Sequence, residues 1–140
     1  MARGRYRLFG TTADIGVVSA GDTIESAFEA QAAGMFSIMT DLRHVRAVET
    51  HTVTAEGFDN EGLLVSFLEE LHFIFDARRV FLREFHITSM ADGKLTAEAV
   101  GEPIDEARHV IKTPIKAVTY HMLEVKDTGK GWRTRVVYDI

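Results

Sequence analysis

The sequence predicts an α+β fold: a single domain in which two amphipathic helices pack on a largely antiparallel β-sheet. Three observations carry this. Two long segments repeat apolar residues at helical spacing. The other regular segments alternate in character or are rich in β-branched residues. Short turns join strands that follow one another, so antiparallel pairing dominates. The chain of 140 residues suits one domain over 1–140, and its 46% apolar content supports a core without staples.

"YRLFG" (6–10) and "IGVVSAG" (15–21) are short strands flanking "TTAD". "GDTIESAFEAQAAGMFSIMTDL" (21–42) is the first helix. Asp22 or Thr23 can cap it, and Glu25 stands three residues after Asp22, as a capping box requires. Ile24, Phe28, Met35, Ile38 and Met39 recur on one face, and Gly34 weakens the helix locally. "VETHTVTAEG" (48–57) is a strand. A second helix follows over 59–79, begun by Asp59 or Asn60, with a wide stripe from Leu63 to Phe75 facing the core. "VFLREFHITSM" and "KLTAEAVGE" form a hairpin about Asp92-Gly93, because a type I′ turn needs positive φ at both central residues. "PIDEARHVIKTP" (103–114) is a polar connection with room for a short helix. "IKAVTYHMLEVK" (115–126) and "WRTRVVYDI" (132–140) pair as a final hairpin around "DTGKG".

Composition narrows the chemistry. No cysteine is present, so disulfides and thiolate metal sites are excluded. No charged start precedes an apolar run of signal-peptide type, and no apolar run approaches the ~18 residues a membrane span needs. The expectation is a cytoplasmic protein with no membrane contact. A net charge of −5 is not that of a nucleic-acid binder acting through its overall charge. Three local basic clusters exist: Arg3, Arg5 and Arg7; Arg78 and Arg79; and Lys126, Lys130, Arg133 and Arg135. They read as solvated strand faces and loop tips, with RNA contact as the alternative.

Without cysteine, a metal site must use Asp, Glu, His or carbonyl oxygens. Hard cations such as Ca²⁺ or Mg²⁺ want oxygen. Asp14 and Asp139, with the chain end at Ile140, can supply it if their strands are neighbours; taken singly, each acid reads as a turn or cap residue. The six histidines (His44, His51, His72, His86, His109, His121) show no His-x-x-x-His spacing. His72 falls at the edge of the second helix's apolar face, and His121 within a strand. No serine lies in a Gly-x-Ser-x-Gly elbow, and "TGKGW" lacks the strand–loop–helix context of a phosphate loop. Nothing in the residues points to catalysis, and the expectation is that the chain is not an enzyme.

Taken together, "TADIG" (12–16), the first helix, "LLVSFLEELHFIFD" (63–76), "GEPID" (101–105), "IKAVTYHMLEV" (115–125) and the terminal "VVYDI" (136–140) resemble the archease family over the whole chain. The resemblance implies an archease-like fold. It also implies an accessory role beside the RtcB-type RNA ligase of tRNA splicing, promoting ligase guanylylation and multiple turnover without catalysing the joining. It implies a metal site, carried over residue by residue: Asp14 as the acid near the N-terminus, Asp139 as the acid of the terminal "DI", and Ile140 through a main-chain oxygen. The implied cofactor is a divalent cation, with calcium foremost. The implied partner is the ligase, with tRNA reached only indirectly through it; oligomeric state is left open. The family often has His where this chain has Thr11, which offers a hydroxyl in place of an imidazole. Two other readings stand beside this one. One is a general protein chaperone or modulator of tRNA-modifying enzymes, using an apolar patch left by the Phe-rich helix. The other is a small metal-dependent hydrolase with His121 as acid–base.

Overall fold

The structure, a computed structural model, describes residues 4–10 and 13–140. The element order is β1 (Gly4–Gly10), β2 (Asp14–Gly21), α1 (Ile24–Met39), β3 (Glu49–Glu56), α2 (Asn60–Arg78), β4 (Val80–Ala91), β5 (Lys94–Pro103), β6 (Ala117–Val118), β7 (Glu124–Asp127) and β8 (Trp132–Asp139), with a 3-10 turn at Leu42–His44. The α+β class and both helices stand as expected. Every strand pairing is antiparallel.

The strands divide into two sheets. One runs β1-β2-β8-β6, with β7 also pairing to β8; the other runs β3-β5-β4. Helix α1 packs on β1, β2 and β8 and along β4, while α2 lies against β3, β4 and β5. One apolar cluster joins both layers. Phe75 of α2 stacks on Phe81 of β4 at 5.8 Å, Phe36 of α1 meets the edge of Phe75 at 6.4 Å, and Phe36 also lies 5.7 Å from Phe85 of β4, so aromatic rings join the two helices and carry α1 to the smaller sheet.

Local chemistry explains the element ends. Thr23 caps α1: its hydroxyl accepts from the Ser26 N–H at 3.1 Å, and the Ser26 hydroxyl accepts from the Thr23 N–H at 3.0 Å. The box therefore uses Thr23 and Ser26, not Asp22 and Glu25, because the helix begins one residue later than the Asp22 reading assumes. Asp59 caps α2 through the Gly62 N–H. Gly34 costs helix propensity but permits close approach: a Cβ there would lie 2.4 Å from Val17 and 3.1 Å from the Tyr6 ring. Asp92 and Gly93 both have positive φ (55° and 73°), as the hairpin requires.

Two expectations change. The 103–114 connection forms no helix, only a turn at 106–108. The strand expected over 115–126 is two strands, β6 and β7, broken at 119–123, where Met122 takes φ 58°. His121 therefore sits exposed in a turn and not in a strand.

A buried polar network fixes α1 on the larger sheet. Gln31, fully buried, donates through Nε2 to the Val17 carbonyl (3.0 Å) and the Thr134 hydroxyl (2.7 Å), and its Oε1 accepts from the Tyr138 hydroxyl (2.7 Å). Ser19 spends its one proton on the Ala27 carbonyl (2.7 Å), so Thr134 donates to Ser19 across 2.5 Å. Burial also pushes the Tyr138 hydroxyl well above its ordinary pKa, keeping it a donor. The network ties one helix to both β2 and β8. Gln31→Leu should leave the Tyr138 hydroxyl and the Val17 carbonyl short of partners, and cost about 2–4 kcal/mol in urea unfolding with an unchanged m-value.

Candidate functional site

Strands β2 and β8 lie side by side, and their register places Asp14 opposite Asp139. The condition left open by the sequence is therefore met. Alternation sets the facing of each residue. Val17, Thr134, Val136 and Tyr138 are wholly buried on the α1 side, so Asp14, Gly16 and Val18 of β2 and Arg135, Val137 and Asp139 of β8 belong to the opposite face. Asp14 is half-buried and Asp139 exposed. Directly opposed side chains on one face of an antiparallel pair have Cβ atoms roughly 4.5–5.5 Å apart, and like charges so placed repel.

The chain end is held on both sides. Beyond β8, Ala117 of β6 also pairs with Asp139, and the Lys116 N–H donates to the Asp139 carbonyl at 2.8 Å. Two residues back, the Thr119 N–H (3.2 Å) and hydroxyl (2.7 Å) both donate to the Val137 carbonyl. Ile140 packs against the core. The expected fraying of a terminus is thus opposed by ladder bonds and by burial.

The irregular stretch leading into β6 is also tied down. The Lys112 and Thr113 N–H groups donate to the Met39 and Ile38 carbonyls at the end of α1, and the Thr40 hydroxyl donates to the Val110 carbonyl at 2.7 Å. His72, at the edge of the apolar face of α2 as expected, donates from Nε2 to the Ile115 carbonyl at 2.6 Å. Upstream, the buried Glu102 carboxylate accepts from the Arg46 N–H (2.6 Å) and His109 Nε2 (3.0 Å) and pairs with the Arg108 guanidinium. His109 Nδ1 in turn accepts from the Asp105 N–H at 2.9 Å, which places the imidazole proton on Nε2. Lys116 and Ala117 were not singled out as flanking residues by the sequence, although they stand within "IKAVTYH". The hairpin with the terminal strand is as expected, but reading the stretch as one unbroken strand missed the break at 119–123 and the change of register that sets Ala117 against Asp139.

Chemically, the arrangement offers the carboxylates of Asp14 and Asp139 near the main chain of Ile140, an oxygen donor set of the kind a hard cation takes. Among the described residues no group of three or more His, Cys, Asp or Glu forms a metal-holding cluster. Thr11 and Thr12 lie outside the described residues. His121 stands apart from any such cluster, and its N–H bonds the Thr119 hydroxyl at 3.3 Å.

An α+β domain of two helices on two antiparallel sheets, with opposed acids where its first and last long strands meet, defines the class. The sequence profile of the Archease protein family matches residues 6–140, and the chain belongs to that family. It is 37% identical to "Protein archease" of Pyrococcus abyssi, covering 97% of this chain and 99% of that protein. It is 39% identical to the Thermococcus gammatolerans protein of the same name, with the same coverage. The solution structure of Methanobacterium thermoautotrophicum protein 1598 superposes with a TM-score of 0.82 at 36% identity, covering 96% of this chain and 98% of that one. A Thermotoga maritima protein described as an archease and possible chaperone shares the fold, with a TM-score of 0.63 at 18% identity and 96% coverage of each chain. No helix among the described residues is long and apolar enough to cross a membrane.

Glu102 makes the anchoring of this region testable by pH. Burial raises its pKa, but the bonds from the Arg46 N–H, His109 and Arg108 outweigh that and hold it at about 2, below its ordinary 4.5. A depressed carboxylate contributes stability that is present above pH 4.5 and is lost as pH falls towards 2. Glu102→Gln should lower Tm at pH 7, and the gap from the native protein should narrow between those two values. Thermal melts across the acid range measure it.

Proposed function

We propose that this chain activates an RtcB-type RNA ligase, promoting its guanylylation and multiple turnover, and does not itself catalyse the joining. In this reading Asp14, Asp139 and the main-chain oxygen of Ile140 hold a divalent cation, calcium foremost. The observation that carries it is the register pair Asp14–Asp139 on one sheet face, in a chain of the archease family. Opposed carboxylates cost stability alone, and a cation between them removes that cost.

The donors fit such an ion. They are oxygen-only, which suits a hard cation and not a thiolate-seeking one. Calcium takes 6–8 oxygens, and the two acids and chain end supply only part of that shell. The rest falls to water or to groups of the partner. When bound, the ion supplies positive charge that can meet phosphate or carboxylate groups of the ligase's nucleotide site. The chain's own residues do the positioning. The ladder bonds from Lys116 and Thr119 and the packing of Ile140 hold the terminus in place. Activation requires that the docked protein bind the guanylylation-competent ligase state more tightly than the other state. The ligase is the proposed partner in the cytoplasm, with tRNA met in its complex.

A chaperone role is the second reading, favoured by exposed apolar side chains. Phe58 projects fully into solvent, and Phe73 is the exposed phenylalanine of α2, whereas Phe67 and Phe75 are buried. Protection of unrelated aggregating proteins, undiminished by changes at the acids, would favour it.

Two measurements test the main reading. Guanylylation of the cognate ligase by GTP under multiple turnover should be stimulated by the native chain, and Asp14→Ala or Asp139→Ala should cut that stimulation at least tenfold, about 1.4 kcal/mol or more. Full stimulation by both variants would sink the metal-centred account. In chelator, Asp139→Asn should be as stable as the native chain or a few tenths of a kcal/mol more stable, since a like-charge pair is gone. Added Ca²⁺ should raise Tm of the native chain only. A chain extended beyond Ile140 should keep its fold and lose part of that Ca²⁺ response.

A further inference from the structure

The face that carries the two acids continues into a row pattern that the sequence leaves scattered. Across β1-β2-β8-β7 the register aligns Arg5, Ala20, Arg133 and Lys126 in one row, and Arg7, Val18, Arg135 and Glu124 in the next. Tyr6, between the two β1 arginines, packs toward Gly34 of α1, so Arg5 and Arg7 point to the outer face. A depression of about 330 Å³ is lined by Arg5, Arg7, Val18, Ala20 and Arg133, with small apolar side chains as its floor. Two of the basic clusters are thus one surface; Arg3 lies outside the described residues.

Charge on this surface is one-sided. Glu124 pairs with Arg133 (3.0 Å) and Arg135 (3.8 Å). Among the described residues Arg5 and Arg7 have no ion-pair partner, and both are exposed. Within these two rows, among the described residues, four arginines and Lys126 meet the one carboxylate of Glu124. Arg133 is held by it and Arg135 also donates from Nε to the Met122 carbonyl at 2.7 Å, which leaves Arg5 and Arg7 as the unengaged pair, on a chain whose net charge is −5. Strand geometry sets the four arginine positions on a rectangle of roughly 7 by 10 Å, two residues along a strand and two strands across. Guanidinium forks so placed match phosphate bidentately, which lysine cannot do. Between the cations and the acids lies a third row. There the Phe9 ring sits over Gly16, where an added Cβ would come within 2.2 Å of it. At the other end of this row Thr119 bonds Val137, and the exposed Tyr120 follows.

We infer that this outer sheet face binds the phosphodiester backbone of a single RNA strand directly, with Arg5, Arg7, Arg133 and Arg135 on phosphates and Phe9 and Tyr120 offered to unstacked bases. This goes beyond the reading above, in which RNA is met only through the ligase. An RNA strand is favoured over an acidic protein because arginine rows on an open sheet, bordered by aromatic rings, serve both phosphate contact and base stacking. It is favoured over a lipid surface because the apolar residues here, Val18 and Ala20, lie beneath the arginines and do not project.

The test is fluorescence anisotropy of a labelled oligouridylate of about 15 nucleotides with the full chain, over a salt series. Three or four phosphate contacts predict a log K against log[salt] slope of about −2 to −3. Arg5→Ala/Arg7→Ala, on an exposed edge strand, should bind at least tenfold more weakly and reduce that slope by about 1.4, with an unchanged circular dichroism spectrum. Lys126→Ala should weaken binding less, and Lys94→Ala, on the other sheet, should not. Absence of binding at low salt, an unchanged double variant, or displacement of the RNA by polyglutamate at equal charge would each overturn the inference, the last in favour of an acidic protein partner. Guanylylation of the ligase without RNA, measured in parallel, separates the two proposals. A double variant that loses RNA and still stimulates supports RNA binding as a distinct property. A double variant that loses stimulation while holding RNA as tightly as the native chain overturns RNA binding by this face.

Discussion

The contact on which the rest of the structure depends is that of Gln31 with strands β2 and β8. One side chain accepts from Tyr138, donates to Thr134, and donates to the Val17 carbonyl. A strand shifted by one residue would turn its whole apolar set to the other face. It would also leave these buried groups unpaired, at a cost that a domain of marginal stability cannot absorb. The register so fixed is the one that brings Asp14 opposite Asp139. The network supports the acid pair through the thickness of the sheet, although none of its members touches the outer face.

The two faces of the larger sheet divide the work. Its inner face supplies stability, through apolar side chains around the Gln31 network and with α1 drawn close at Gly34. The outer face is ordered in rows, from cations through the row of Phe9, Gly16 and Val137 to the paired acids, because each row crosses strands distant in the chain. The smaller sheet and α2 complete the core and buttress the approach to β6, through His72 on Ile115 and the Glu102 cluster. An irregular connection can be as firmly placed as a strand when its N–H and carbonyl groups find fixed partners.

Much of this was legible before any tertiary information. Both helices follow from apolar spacing and the β4–β5 turn from Asp92-Gly93, while the candidate acids rest on the resemblance to the archease family, with which the oxygen-only donors of a cysteine-free chain agree. The misreadings have physical causes. The capping box fell to Ser26 because a serine hydroxyl at that position serves as well as a glutamate carboxylate, and sequence does not say which residue begins the helix. The break between β6 and β7 lies at Met122, whose positive φ a methionine does not announce. Gln31 is not singled out by the sequence, because nothing local marks a buried amide.

Helical and strand periods, caps and tight turns are short-range properties, so the order of residues alone was enough to set the α+β class and nearly every element. The pairing of the first long strand with the last, the division into two sheets, and the meeting of Asp14 with Asp139 involve residues more than a hundred positions apart, as Gln31 and Tyr138 are at 107. Such contacts are selected by burial and hydrogen-bond satisfaction across the whole domain. The acids could therefore be named from the sequence, but their union, and that of the arginines with them on one face, came only with the folded chain.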